Sequence, residues 1–111
     1  MVLTVRFFRT EAGNEPVREW LAQLPRTHRQ SIGIEIKSVQ TGWPLGMPLV
    51  RKMERGLWEV RVDLGDTCAR VLFTLVEGVM ILLHGFIKKS QKTPQSDLET
   101  ARQRMAKLWS H

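Results

Sequence analysis

The chain has 111 residues, enough for one buried core and too few for two, and hydrophobic residues make up 42% of it, which excludes a disordered chain. A formal net charge of +6 and a pI near 10.3 favour a polyanionic partner, either nucleic acid or an acidic protein. The single cysteine, Cys68, excludes an internal disulfide and a cysteine-clustered zinc site.

No apolar run approaches the length of a membrane span, and the N-terminal MVLTVRFFRTEAGNEP lacks both the apolar core and the cleavage site of a signal peptide. The expectation is one cytoplasmic domain over residues 1–111, with no membrane contact. The positive charge is uneven: residues 84–111 hold six Lys and Arg against Asp97 and Glu99.

Residues 2–8 (VLTVRFF) predict a short strand that joins a later sheet. Asn14 is placed to cap a helix starting at Glu15-Pro16, in which Val17, Trp20, Leu21 and Leu24 recur at helical spacing until Pro25. Thr27 is placed to cap a second helix, with Ile32, Ile36 and Val39 on one face and its end at Gly42. The two make a helical hairpin over the sheet's apolar face. Residues 42–56 (GWPLGMPLVRKMERG) are dense in Gly and Pro and predict a loop with at most a short strand near Leu49 to Met53. Arg51, Lys52 and Arg55 lie there, close in sequence to Arg61.

From Gly56 to Pro94 the chain predicts three consecutive alternating strands. A two-residue turn at Gly65-Asp66 sets Val62 against Ala69, Val60 against Val71 and Trp58 against Phe73, and on the other face Arg61 against Arg70. For the second turn, a three-residue loop Val76-Glu77-Gly78 pairs Val71 with Leu83 and Phe73 with Ile81, placing His84 opposite Arg70 and Phe86 opposite Cys68. The exposed face then carries Arg61, Arg70, His84 and Phe86, with Lys88, Lys89 and Lys92 at its mouth. Thr93-Pro94 starts a final helix, the Thr hydroxyl as cap, striped by Leu98, Ala101, Met105 and Leu108. The order is β-α-α-β-β-β-α, an α+β fold.

Like charges directly across a strand pair repel, so Arg61 and Arg70 need either an acid, Glu59 or Asp63, or a bound anion. A guanidinium offers a rigid fork that matches phosphate oxygens. His84 is the one titratable imidazole on the face, a candidate general acid or base whose bland alternative is a structural hydrogen-bonder. Lys88, Lys89 and Lys92 can grip a nucleic-acid backbone and stabilise charge on phosphorus, or form a solvated basic turn. Phe86 can stack on a base or simply cover the sheet. Cys68, Trp20 and Trp58 read as buried, while Trp43, Trp109, His28 and His111 suggest no role. The carboxylates are scattered and the histidines far apart, so no metal or other cofactor is expected. A cationic pocket of this kind can cleave RNA by drawing the proton from a 2′-OH that attacks the adjacent phosphate.

The segments LWEVRVDLGDTCARVLF and LLHGFIKKSQKTP resemble the HigB-type, phage-derived branch of the RelE/ParE toxin superfamily. The resemblance runs from the helical hairpin to the final helix. It implies a RelE-like fold, helices packed on a twisted antiparallel sheet, and a toxin neutralised by an antitoxin with a helix-turn-helix domain encoded beside it. The implied activity is ribosome-dependent, metal-independent cleavage of mRNA. The matching positions are Arg61, Arg70, Phe86, Lys88, Lys89 and Lys92. Of these, Arg61, Arg70, Lys89 and Lys92, together with His84, are the catalytic candidates; Lys52, Arg55, Phe86 and Lys88 are the RNA-binding ones. The chain has no tyrosine, although relatives often carry one where Ala69 stands, which leaves His84 or a lysine to move the proton. Two other readings share the basic face: a ParE-like toxin that binds DNA gyrase without hydrolysis, and a non-catalytic RNA-binding module.

Overall fold

A computed structural model describes residues 1–89 and 92–109. Its elements are β1 (Thr4–Phe7), α1 (Pro16–Ala22), α2 (Arg26–Gly42), β2 (Val50–Glu54), β3 (Leu57–Asp63), β4 (Cys68–Val76), β5 (Val79–Lys88) and α3 (Gln95–Trp109). The strands form one five-stranded sheet in the order β1-β5-β4-β3-β2. The α+β class stands, with two corrections to the expected sheet. It is mixed rather than antiparallel, because β1 runs parallel to β5, and the short strand allowed near Leu49 to Met53 is present as β2, antiparallel to β3, which adds a strand to the expected order. Val50, buried in the core opposite Val60, holds β2 there despite the Gly and Pro around it. Since β1 and β2 are the two edges, α1 and α2 carry the chain across one face from edge to edge.

The capping residues also differ from expectation. Asn14 closes a local turn with Thr10, its amide donating to the Thr10 hydroxyl at 3.1 Å, and α1 has Glu15 at its N-cap. Pro25 caps α2, its carbonyl accepting the Arg29 amide at 3.0 Å, so Thr27 lies inside the first turn.

The β3–β4 register is the expected one, including Arg61 opposite Arg70. The β4–β5 register is not. The turn has two residues, Glu77 and Gly78, both with positive φ (48° and 79°), as a tight hairpin turn demands. The extra residue sits in the strand instead: Phe73 pairs with Leu82 and Leu72 with His84, leaving Leu83 as a bulge. His84 therefore faces Leu72 rather than Arg70, Arg70 faces Phe86, and Cys68 faces Lys88.

Both faces of the sheet are buried. On one, Val17, Ile32, Ile36 and Val39 of the hairpin pack on Val60, Val62, Ala69, Val71, Phe73, Met80 and Leu82. Trp43 completes this core, its ring edge-on to Trp58 at 5.3 Å and to Phe73 at 5.7 Å. On the other, Leu98 and Ala101 of α3, with Met105 and Leu108, cover Leu57, Leu72, Leu83 and Phe86. The apolar stripes read from the sequence are thus the ones that pack.

Gly85 lets α1 reach the sheet, because a β-carbon there would run into the Trp20 ring. Gly85→Ala is expected to cost about 1–3 kcal/mol through overpacking, read as a lower urea midpoint. Trp20→Leu in the same chain should recover part of the loss, and an unchanged midpoint in Gly85→Ala would contradict the contact.

Candidate functional site

Beyond the reach of α3, the second face of the sheet turns polar. Arg51 of β2 stands opposite Glu59 of β3, Arg61 opposite Arg70 of β4, and Cys68 opposite Lys88 of β5. Alternation along each strand sends Arg51, Glu59, Arg61, Arg70, Cys68 and Lys88 to this one face.

Glu59 lies at the bottom, fully buried. The Thr93 hydroxyl donates to its Oε2 at 2.6 Å, and Arg70 Nε stands 3.5 Å from its Oε1. Neither Oε1 nor that Nε has a hydrogen-bond partner, so the pair is an ion contact without a well-aligned bond. Arg70 is itself only 5% exposed and donates from Nη1 to the Ala69 carbonyl at 2.9 Å. The face read as exposed is therefore partly covered: Arg70 is buried against Glu59, and Phe86 packs with Leu98 and Ala101 of α3. Thr93 spends its hydroxyl on Glu59 rather than on capping α3, where the Pro94 carbonyl accepts the Leu98 amide.

Lys88 feels this cluster directly. Burial, then the charge of Arg70, and more weakly those of Arg61 and Arg51, lower its pKa below the ordinary lysine value, with Glu59 opposing them. Beside it opens a cleft of about 380 Å³, with Arg61, Arg70 and Cys68 on the sheet side and Pro48, Leu49 and Glu35 across from them. Cys68 is thus a partly exposed cleft residue rather than a core one. Arg61 also reaches Met47, Nη1 to Sδ at 3.5 Å.

His84 is engaged elsewhere. Its Nε2 is 2.6 Å from Asp97 Oδ1, and Arg104, which donates to the Leu83 carbonyl at 2.7 Å, stands 3.4 Å from its Nδ1. Phe86, 8% exposed, stacks on the imidazole at 5.7 Å between centroids and lies along β5 between His84 and Lys88. The His84 ring joins β5 to α3, and Phe86 covers the sheet instead of offering an open platform.

Lys89 and Lys92 are exposed on the segment between β5 and α3. Lys52 pairs with Trp58 and so faces the hairpin side, away from Arg51 and Arg61. Arg55 lies in the β2–β3 turn, about 20 Å from Arg61 by strand rise. The structure therefore gathers Arg61, Arg70 and Lys88, adds Arg51, Glu59 and Thr93, and leaves Lys52 and Arg55 apart. His111 lies outside the described residues. Among the described residues no group of three or more His, Cys, Asp or Glu side chains is placed to hold a metal ion, and no helix is long and apolar enough to cross a membrane.

A family model described as "Phage derived protein Gp49-like (DUF891)" matches residues 19–106, from α1 through most of α3. The chain belongs to the Gp49-like family. No curated protein matches it. The matched stretch of this Gp49-like chain contains every residue of the cationic face.

Removing Glu59 leaves Arg70 buried without its counter-charge. Glu59→Ala is expected to cost about 3–5 kcal/mol, whereas Glu59→Leu combined with Arg70→Met should recover most of that loss. Denaturant midpoints check both, and a wild-type midpoint in Glu59→Ala would show that the pair does not hold the fold.

Proposed function

We propose that this Gp49-like protein is the toxin of a toxin–antitoxin system and cleaves mRNA on the ribosome without a metal ion. The observation that carries the reading is the gathering of Arg51, Arg61, Arg70 and Lys88 at one end of one sheet face, around a carboxylate too deeply buried to meet a ligand. Four cations at that spacing make a site for phosphate.

In this reading Arg61, at the cleft, takes the non-bridging oxygens of the scissile phosphate. Arg51 adds charge from the neighbouring strand, and Arg70, held by Glu59, fixes the potential from beneath. Lys88, whose pKa is lowered, supplies the neutral amine that accepts the 2′-OH proton. The 2′-oxygen attacks phosphorus, the bond to the 5′-oxygen breaks, and Lys89 or Lys92 protonates the departing oxygen, leaving a 2′,3′-cyclic phosphate and a 5′-OH. DNA, lacking the 2′-OH, is refractory. His84, with partners at both ring nitrogens, positions α3 rather than moving the proton. The partners are ribosome-bound mRNA and an antitoxin with a helix-turn-helix domain, whose acidic segment would cover the same cations in the cytoplasm.

Single-turnover cleavage on programmed ribosomes tests these roles. Lys88→Ala is expected to slow cleavage by about 10²- to 10⁴-fold, and Arg61→Ala by about 10²- to 10³-fold. His84→Ala should lower the denaturation midpoint while changing the rate less than tenfold. Because burial and neighbouring cations depress the Lys88 pKa, its reactive neutral form appears earlier as pH rises. The rate should therefore climb with pH and level off below the ordinary lysine value near 10.4. Intact mRNA with stalled DNA replication would overturn the nuclease reading in favour of gyrase binding.

A further inference from the structure

A groove that binds RNA through phosphates has reason to exclude carboxylates, which repel them. Yet Glu35 of α2 lines the same cleft as Arg61 and Arg70. Asp63 stands beside it, one oxygen already accepting the Gly65 amide at 2.8 Å. Glu35 makes no ion pair among the described residues, so its charge is not spent on the fold. On the sheet side Arg70, 5% exposed, keeps an Nε without a hydrogen-bond partner, 3.5 Å from Glu59.

The cleft continues past the acids. A second hollow of about 340 Å³ shares Glu35, Val62 and Asp63 with the first and extends along α2 past Ile34, an apolar side chain 63% exposed. One track therefore runs from guanidinium groups, through two carboxylates, to an apolar shelf. A nucleotide laid along it meets its phosphate at the arginine end and its base at the acidic end.

Carboxylates only accept hydrogen bonds, so they select the base edge that only donates where they meet it. Guanine presents two adjacent donors, N1–H and the N2 amino group, spaced for the two oxygens of one carboxylate. Adenine and cytosine present one amino group beside an acceptor, and uracil one imino group between two acceptors. We propose that Glu35 is a specificity-determining residue that reads the Watson–Crick edge of a guanine next to the phosphate held at Arg61. The proposal rests on the RNA-binding part of the functional reading and deepens it.

The test uses the full chain and short single-stranded oligoribonucleotides differing at one central base, titrated by fluorescence anisotropy at fixed salt. With no ribosome present the RNA should stay intact, as a gel would verify. Guanine is expected to bind about 10- to 100-fold more tightly than adenine, the scale of one bidentate base contact. Inosine, which lacks the N2 amino group, should fall between them. Glu35→Gln should erase the preference while leaving the adenine oligonucleotide bound as well as before or better, with an unchanged circular dichroism spectrum. Equal binding of all bases, binding of none, or a guanine preference that survives in Glu35→Gln would overturn the proposal. Guanine-selective binding without ribosomal cleavage would support it and remove the nuclease; cleavage indifferent to guanine would do the reverse.

Discussion

A carboxylate with no solvent exposure, Glu59, sets the conditions for everything around it. Burying a charge costs far more than any single surface contact returns unless a counter-charge and a hydrogen bond come with it. Arg70 and Thr93 supply these, one from the neighbouring strand and one from the segment that leads into α3. The same carboxylate explains how Arg61 and Arg70 can stand directly across a strand pair. Its single negative charge does not cancel Arg51, Arg61, Arg70 and Lys88 together, and the surplus is what an anionic ligand would meet. Stability and the local surplus of positive charge are thus tied to one buried group.

The second constraint is that the sheet is buried on both faces. The hairpin packs closely on one side because Gly85 has no side chain in the way of Trp20. The bulge at Leu83 turns consecutive residues, Leu83 and His84, toward α3 on the other. There His84 joins Asp97 and Arg104 in a small polar network that fastens the helix. The helix stops short of the cationic end, so its position decides which part of the sheet meets solvent. This division puts the imidazole against α3 and Lys88 at the cationic end.

Much of the fold could be read from the sequence, and the failures have physical reasons. Helix stripes such as Ile32, Ile36 and Val39, and the turn at Gly65-Asp66 with the register it sets, were legible because periodicity and one tight turn determine them. The second turn was not, because a bulge and a longer loop both absorb one extra residue, and only tertiary packing decides between them. The runs Val71-Leu72-Phe73 and Ile81-Leu82-Leu83 did carry a signal that strict alternation obscures: consecutive apolar residues mark strands covered on two faces. In the site, Arg61, Arg70 and Lys88 were readable because strand parity alone sends them to one face. The Thr93–Glu59 bond, which spans 34 residues, and the place of Glu35 across the cleft depend on packing that no local pattern encodes.

The central claim is that toxicity depends on where the positive charge lies, not on how much of it the chain carries. The most direct measurement compares two double variants with equal loss of charge in induced cells, scoring growth and the integrity of translated mRNA. Arg61→Gln with Lys88→Gln removes two cations from the site, and Arg26→Gln with Lys37→Gln removes two from the exposed surface of α2. The account predicts that the first pair abolishes growth arrest and mRNA cleavage at wild-type protein levels, while the second leaves both intact. Equal effects from the two pairs, or cleavage that persists only in the first, would contradict it.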